Sequence, residues 1–214
     1  MKMEVNHFLT LNKILFLDFE IYPFVVPGFI FDDLILSQNQ VNLYSLSDEN
    51  DQNYHYAGST DTDLRWKNNV IPFALSLRFN SSRKSEIRNI AQYLNNILGG
   101  CLHFREKMDS DQDYVWFTQP TKYKSLCRSK LGRQGGRQDI SIGSFCQRHD
   151  IIHEILHCVG LLHEHSRPDR DNYVEILIDN VREDRKGNFE IFKNQWSYGE
   201  PYDHKVSHKF GNFQ

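Results

Sequence analysis

One run constrains the chain more than any other: His153-Glu154-Ile155-Leu156-His157-Cys158-Val159-Gly160-Leu161-Leu162-His163. If it begins as a helix, His153 and His157 stand one turn apart on the same face. Their imidazoles then converge on a single ion, and zinc takes such nitrogens in tetrahedral sites. Glu154 follows the first histidine, where its carboxylate reaches a water at the site and serves as general base. Gly160 permits a backbone reversal closed to larger residues, and the reversal carries His163 to a third corner. Three neutral ligands leave the fourth position to solvent, the arrangement of a catalytic zinc site with one Zn(2+) per subunit. A solvent-facing helix would leave Gly160 and His163 without a reason.

Around that run the pattern is mixed. A helix is predicted from about Asp150, as N-cap, to Leu162, with Ile151, Ile152, Ile155, Leu156 and Val159 on its apolar face. Another is predicted from Ser82 to Leu98 on the spacing of Ile87, Ile90, Ala91, Leu94 and Ile97, ended by Gly99-Gly100. Strand patterns occur at Val70–Leu77, Leu102–Arg105, Tyr114–Phe117 and Ile140–Ile142, and Pro72 suggests an edge or a strand start. Strands, one helix, the histidine helix and an irregular tail make an α+β chain. The polar stretch from Ser45 to Tyr56 reads as a linker or mobile segment.

The 214 residues suit one domain. A net charge of −3 argues against a nucleic-acid binder, and the apolar start is broken by Asp18, Glu20, Pro23 and Pro27, so no membrane span is expected. The run Ile14 to Leu17 is too short for an ordinary secretory signal. Four cysteines, at 101, 127, 146 and 158, allow three pairings if two disulfides form. Asn80-Ser81-Ser82 is a glycosylation sequon. His7, His55, His103 and His149 are isolated and read as surface or locally hydrogen-bonded residues, and His165 is too close to His163 to extend the ligand set.

The histidine run and its continuation, His163-Glu164-His165-Ser166-Arg167-Pro168-Asp169-Arg170-Asp171, resemble the extended zinc signature of the metzincins and, within them, the astacin family. Arg65 to Phe73, Cys101 to Phe104, Cys127, Gly132 to Gln138, Asn188-Phe189 and Pro201-Tyr202-Asp203 resemble further pieces of that family in the same order. The resemblance implies a secreted zinc metalloendopeptidase made as a zymogen, and a monomer is expected. It implies a two-lobed fold with a twisted, mostly five-stranded sheet and two long helices in the first lobe. His153, His157 and His163 would be the metal ligands and Glu154 the general base. Glu164 would hold the amino group of an N-terminus trimmed near Ala57. Cys127 and Cys146 would pair, and Gly135 to Ile142 would form the sheet edge that takes an extended protein or peptide substrate. Residues 1–56 would be a pro-segment-like or atypical leader region, and 57–214 the protease domain.

The chain also departs from that pattern. Aligned without gaps, His208 stands where the family has a methionine beneath the metal, and Phe210 where it has a zinc-facing tyrosine. The sequence given ends at Gln214, which implies a truncated C-terminal lobe and leaves Cys101 without its expected partner. Residues 1–56 lack the family's Phe-x-Gly-Asp stretch. These departures favour, as the competing reading, a weak or inactive zinc-binding relative that binds peptides or partners.

Overall fold

A computed structural model describes residues 3–4, 29–31, 34–36, 40, 64–121, 126–192 and 202. In chain order the regular elements are strands β1 (Met3–Glu4), β2 (Phe29–Phe31), β3 (Leu34–Leu36) and β4 (Val70–Leu75), helix α1 (Ser81–Ile97), strands β5 (His103–Glu106), β6 (Tyr114–Thr118), β7 (Cys127–Lys130) and β8 (Arg137–Ile142), helix α2 (Arg148–Cys158) and strand β9 (Val174–Glu175). The α+β class agrees with the sequence pattern. Among the described residues no helix is long and apolar enough to cross a membrane.

The main sheet has seven strands in the order β2-β3-β7-β8-β6-β4-β5. Five come from residues 70–142, the number the resemblance implies. The other two come from residues 29–36, which the resemblance assigns to a pro-segment-like or atypical leader region. β4, β5, β6 and β8 run parallel, β7 is antiparallel to β8, and β3 is parallel to β7 with Leu34 level with Ser129 and Ile35 level with Lys130. The edge expected at Gly135 to Ile142 is therefore corrected: β8 is flanked by β6 and β7, and the outer strands of the 70–142 set are β7 and β5.

Of the two expectations for Pro72 the edge is corrected, since β4 has β5 on one side and β6 on the other, and Pro72 stands third from the start of the strand. Ser76 N donates to Phe117 O, so residues 72, 74 and 76 turn their backbone toward β6. The β6 register begins only at Phe73 opposite Val115, so the missing Pro72 N–H falls just before that ladder.

Helix α1 starts one residue earlier than predicted because Asn80 Oδ1 accepts the Arg83 N–H and caps it. Ile87, Ile90, Ala91 and Leu94 face the sheet, whereas Ile97, in the last turn, is 57% exposed. The main core joins these to Ile71, Phe73, Val115, Phe117 and Ile140 from the strands and Ile151 and Ile155 from α2. Burying each such side chain contributes about 1.5–3 kcal/mol, and in this core α2 is pinned beneath the sheet.

Candidate metal centre

Helix α2 begins at Arg148, with Gln147 as N-cap. Asp150 lies at the third helical position, where its carboxylate accepts the Gln147 N–H in a capping box rather than capping the helix itself. The helix ends at Cys158, four residues short of the predicted Leu162. Gly160 has φ +105°, Gly160 N donates to His157 O, and Leu161 N donates to Leu156 O. This pair of bonds is a Schellman stop, and it needs a residue at ease with positive φ. Two long-range donors satisfy the remaining end. Gly132 N reaches His157 O at 2.9 Å and Trp66 Nε1 reaches Cys158 O at 2.9 Å.

The reversal brings three rings together. Nε2 of His157 lies 2.9 Å from Nε2 of His153 and 3.1 Å from that of His163, and the third pair is separated by 3.4 Å. Among the described residues, this is the group of histidine, cysteine or acidic side chains whose atoms can share one metal ion. The set fits zinc: ligand nitrogens about 2.0–2.1 Å from a tetrahedral ion stand roughly 3.4 Å apart. The hydrogen bonding fits as well. His157 Nδ1 lies 2.7 Å from Leu161 O, and as donor there it leaves the Nε2 lone pair directed at the other two rings. His163 stacks on His165 at 5.0 Å, and His165 Nε2 lies 2.9 Å from Asn188 O. His165 thus supports a ring of the group without joining it.

Glu154, expected as the general base, is buried (1% exposed) within α2 beside the first histidine. Glu164 accepts Arg167 Nη1 at 2.7 Å, and the same guanidinium forks onto Asp169 through Nε and Nη2. Arg167 is buried, and it lies over the Tyr202 ring, which stacks on Tyr173. Burial, with Glu164 nearby, pushes the Tyr202 phenol up to about 12. Arg170 Nη1 donates to His165 O and to Phe189 O. Sequence reasoning misses Arg167 and Arg170 as the staples of the turn carrying His163; their place beside the motif is visible, their partners are not.

Cys127 and Cys146 form a disulfide, and Cys101 (exposed) and Cys158 (buried) are free thiols. Asn80 is exposed. His103 is exposed and His149 half-buried. His7, His55, Ala57, His208 and Phe210, with the stretch from Ser45 to Tyr56, lie outside the described residues.

Residues 58–212 match the model of the peptidase family described as Astacin. The chain belongs to the astacin family. Among curated relatives, this astacin-family chain is similar to zinc metalloproteinase nas-8 of Steinernema carpocapsae, 33% identical over 69% of this chain and 34% of the relative. It is also similar to zinc metalloproteinase nas-12 of Caenorhabditis elegans, 30% identical over 82% of this chain and 45% of the relative. The chain thus spans less than half the length of these relatives. A solved structure, high choriolytic enzyme 1 from Oryzias latipes, a hatching enzyme zinc-protease, superposes with a TM-score of 0.57 at 29% identity, over 65% of this chain and 68% of that one.

Proposed function

We propose that this chain is a zinc-dependent metalloendopeptidase, with His153, His157 and His163 holding the ion and Glu154 as general base. The observation that carries the reading is the convergence of three Nε2 atoms within 3.4 Å of one another beside a buried carboxylate. Zinc bound there supplies Lewis acidity toward a peptide carbonyl. The chain's own part is positional and acid–base. Bonded to Leu161 O, His157 keeps a fixed tautomer. Glu154 takes a proton from the attacking water and returns it to the leaving amine.

The extended substrate lies on β7, an outer strand of the 70–142 set, by strand addition. In the full chain β3 holds that edge, which supports a latent form opened by removal of residues 1–56. Glu164 receives the amino group of the trimmed N-terminus, its carboxylate oriented by Arg167. The Cys127–Cys146 bridge supports secretion into an oxidising compartment, and exposed Asn80 is the glycosylation site there.

The test uses the full chain and Glu154→Gln, each before and after limited trypsin treatment, with metal content and cleavage of an unfolded protein as readouts. Both proteins should hold one zinc, and only the unsubstituted chain should cleave, faster after trimming. Equal silence of the two with zinc retained would overturn the reading and leave the zinc-binding relative in its place.

A further inference from the structure

β3 does more than add a rung to the sheet. Its side chains alternate, so Leu34 and Leu36 share one face and Ile35 the other. Leu34 and Leu36 have no exposed surface, while Ile35 is only half-buried. The two leucines form a cluster with Leu131, Leu162 and Phe192, apart from the main core. Two of its members are joined closely to the histidine group along the chain. Leu162 directly precedes His163, and Leu131 directly precedes Gly132, whose N–H is bonded to His157 O. Gln40 Nε2 donates to Leu131 O at 3.0 Å and holds the chain beyond β3 against the same wall.

We propose that this apolar pocket is a specificity site, and that it selects extended polypeptides carrying two branched aliphatic side chains at positions i and i+2. A strand laid on β7 necessarily presents alternate side chains to the wall beneath. Leu131, Leu162 and Phe192, against which the two leucines pack, are apolar, so an acidic or basic side chain laid on them would lose hydration that these three residues do not replace. The middle residue of such a triplet points away, as Ile35 does, and is not selected. The inference rests on the peptidase reading for the fate of the peptide, but the pocket's preference in binding is independent of it.

The experiment uses the full chain with Leu34→Ala, Leu36→Ala and Glu154→Gln, loaded with zinc, and fluorescent decapeptides of the sequence of residues 31–40. One peptide keeps leucine at the positions of Leu34 and Leu36, one has alanine at both, and one has aspartate at both. Fluorescence anisotropy should show the leucine peptide binding at least about tenfold tighter than the alanine peptide, with the aspartate peptide weakest. The same chain with its own leucines restored should bind the leucine peptide at least about tenfold more weakly, because its pocket is filled. Equal binding of the three peptides by a variant that keeps its thermal melt overturns the proposal. If the alanine pair unfolds, Leu34→Val with Leu36→Val loosens β3 and serves for the same comparison, read by the same criterion. Restoring Glu154 separates the two readings. Discriminating binding without cleavage sinks the peptidase and leaves the pocket; cleavage without discrimination sinks the pocket alone.

Discussion

The indole nitrogen of Trp66 donates a hydrogen bond to the carbonyl oxygen of Cys158, 92 positions further along, at 2.9 Å. Trp66 precedes β4, and Cys158 is the last residue of α2. One side chain therefore ties the start of the central sheet to the end of the histidine helix. Trp66→Phe keeps most of the buried ring but leaves that carbonyl without its donor. The loss should be about 1–3 kcal/mol, read as a lower urea midpoint at unchanged slope.

Gly160 turns the chain at φ +105°. A side chain there costs of order 1–3 kcal/mol. Relieving the strain moves His163, so Gly160→Ala should weaken metal binding by roughly tenfold, since about 1.4 kcal/mol is a factor of ten. Competition with a chromophoric chelator measures this directly. Unchanged affinity would mean that the reversal does not set the position of the third ring.

The two free thiols should differ sharply. Cys101 is exposed, whereas Cys158 is 1% exposed and burial pushes its thiol well up from the ordinary range. Iodoacetamide at neutral pH should label Cys101 in the folded protein and Cys158 only after denaturation. Peptide mapping by mass spectrometry would show it, and early labelling of Cys158 would contradict the packing of α2 on the sheet.

Arg105 binds Asp111 through two nitrogens, at 2.6 and 2.8 Å. The hydrogen bond from Arg105 and that from Met108 N hold the Asp111 carboxyl down at about 2. A carboxyl depressed in the folded state stabilises fully above its unfolded value and loses that contribution as pH falls toward its folded one. Thermal stability should therefore drop between about pH 4 and pH 2. Arg105→Gln should flatten that part of the profile by lowering the neutral-pH melt toward its acid value, and only by a small amount because the pair is near the surface.

Much of the site is legible before any fold is known. The three histidines, Glu154 and the break at Gly160 follow from spacing along one helix and one turn, which is local geometry. Element types in residues 70–158 are also legible, because apolar periodicity reports the buried face. Boundaries are less so. Asp150 looks like an N-cap and is the third residue of a capping box, since Gln147 takes the cap. The predicted helix runs on to Leu162 because its apolar residues continue past Gly160, where the Schellman bonds have already stopped it. Pro72 looks like an edge or strand-start residue, and only the stagger of β6 shows why a central strand tolerates it.

Covalent spacing fixes the histidine constellation, because the intervals between His153, His157 and His163 leave a helix and one turn few ways to arrange them. Packing settles the rest: that β7, not β8, bounds that side of the 70–142 strands, that β3 pairs with it and brings Leu34 and Leu36 onto Leu131, Leu162 and Phe192, and that Trp66, Gly132 and Arg170 fasten the ends of the histidine segment. Those contacts join residues far apart in the chain. Their partners are backbone carbonyls and apolar walls that exist only once the sheet and helix have packed, so no local pattern announces them.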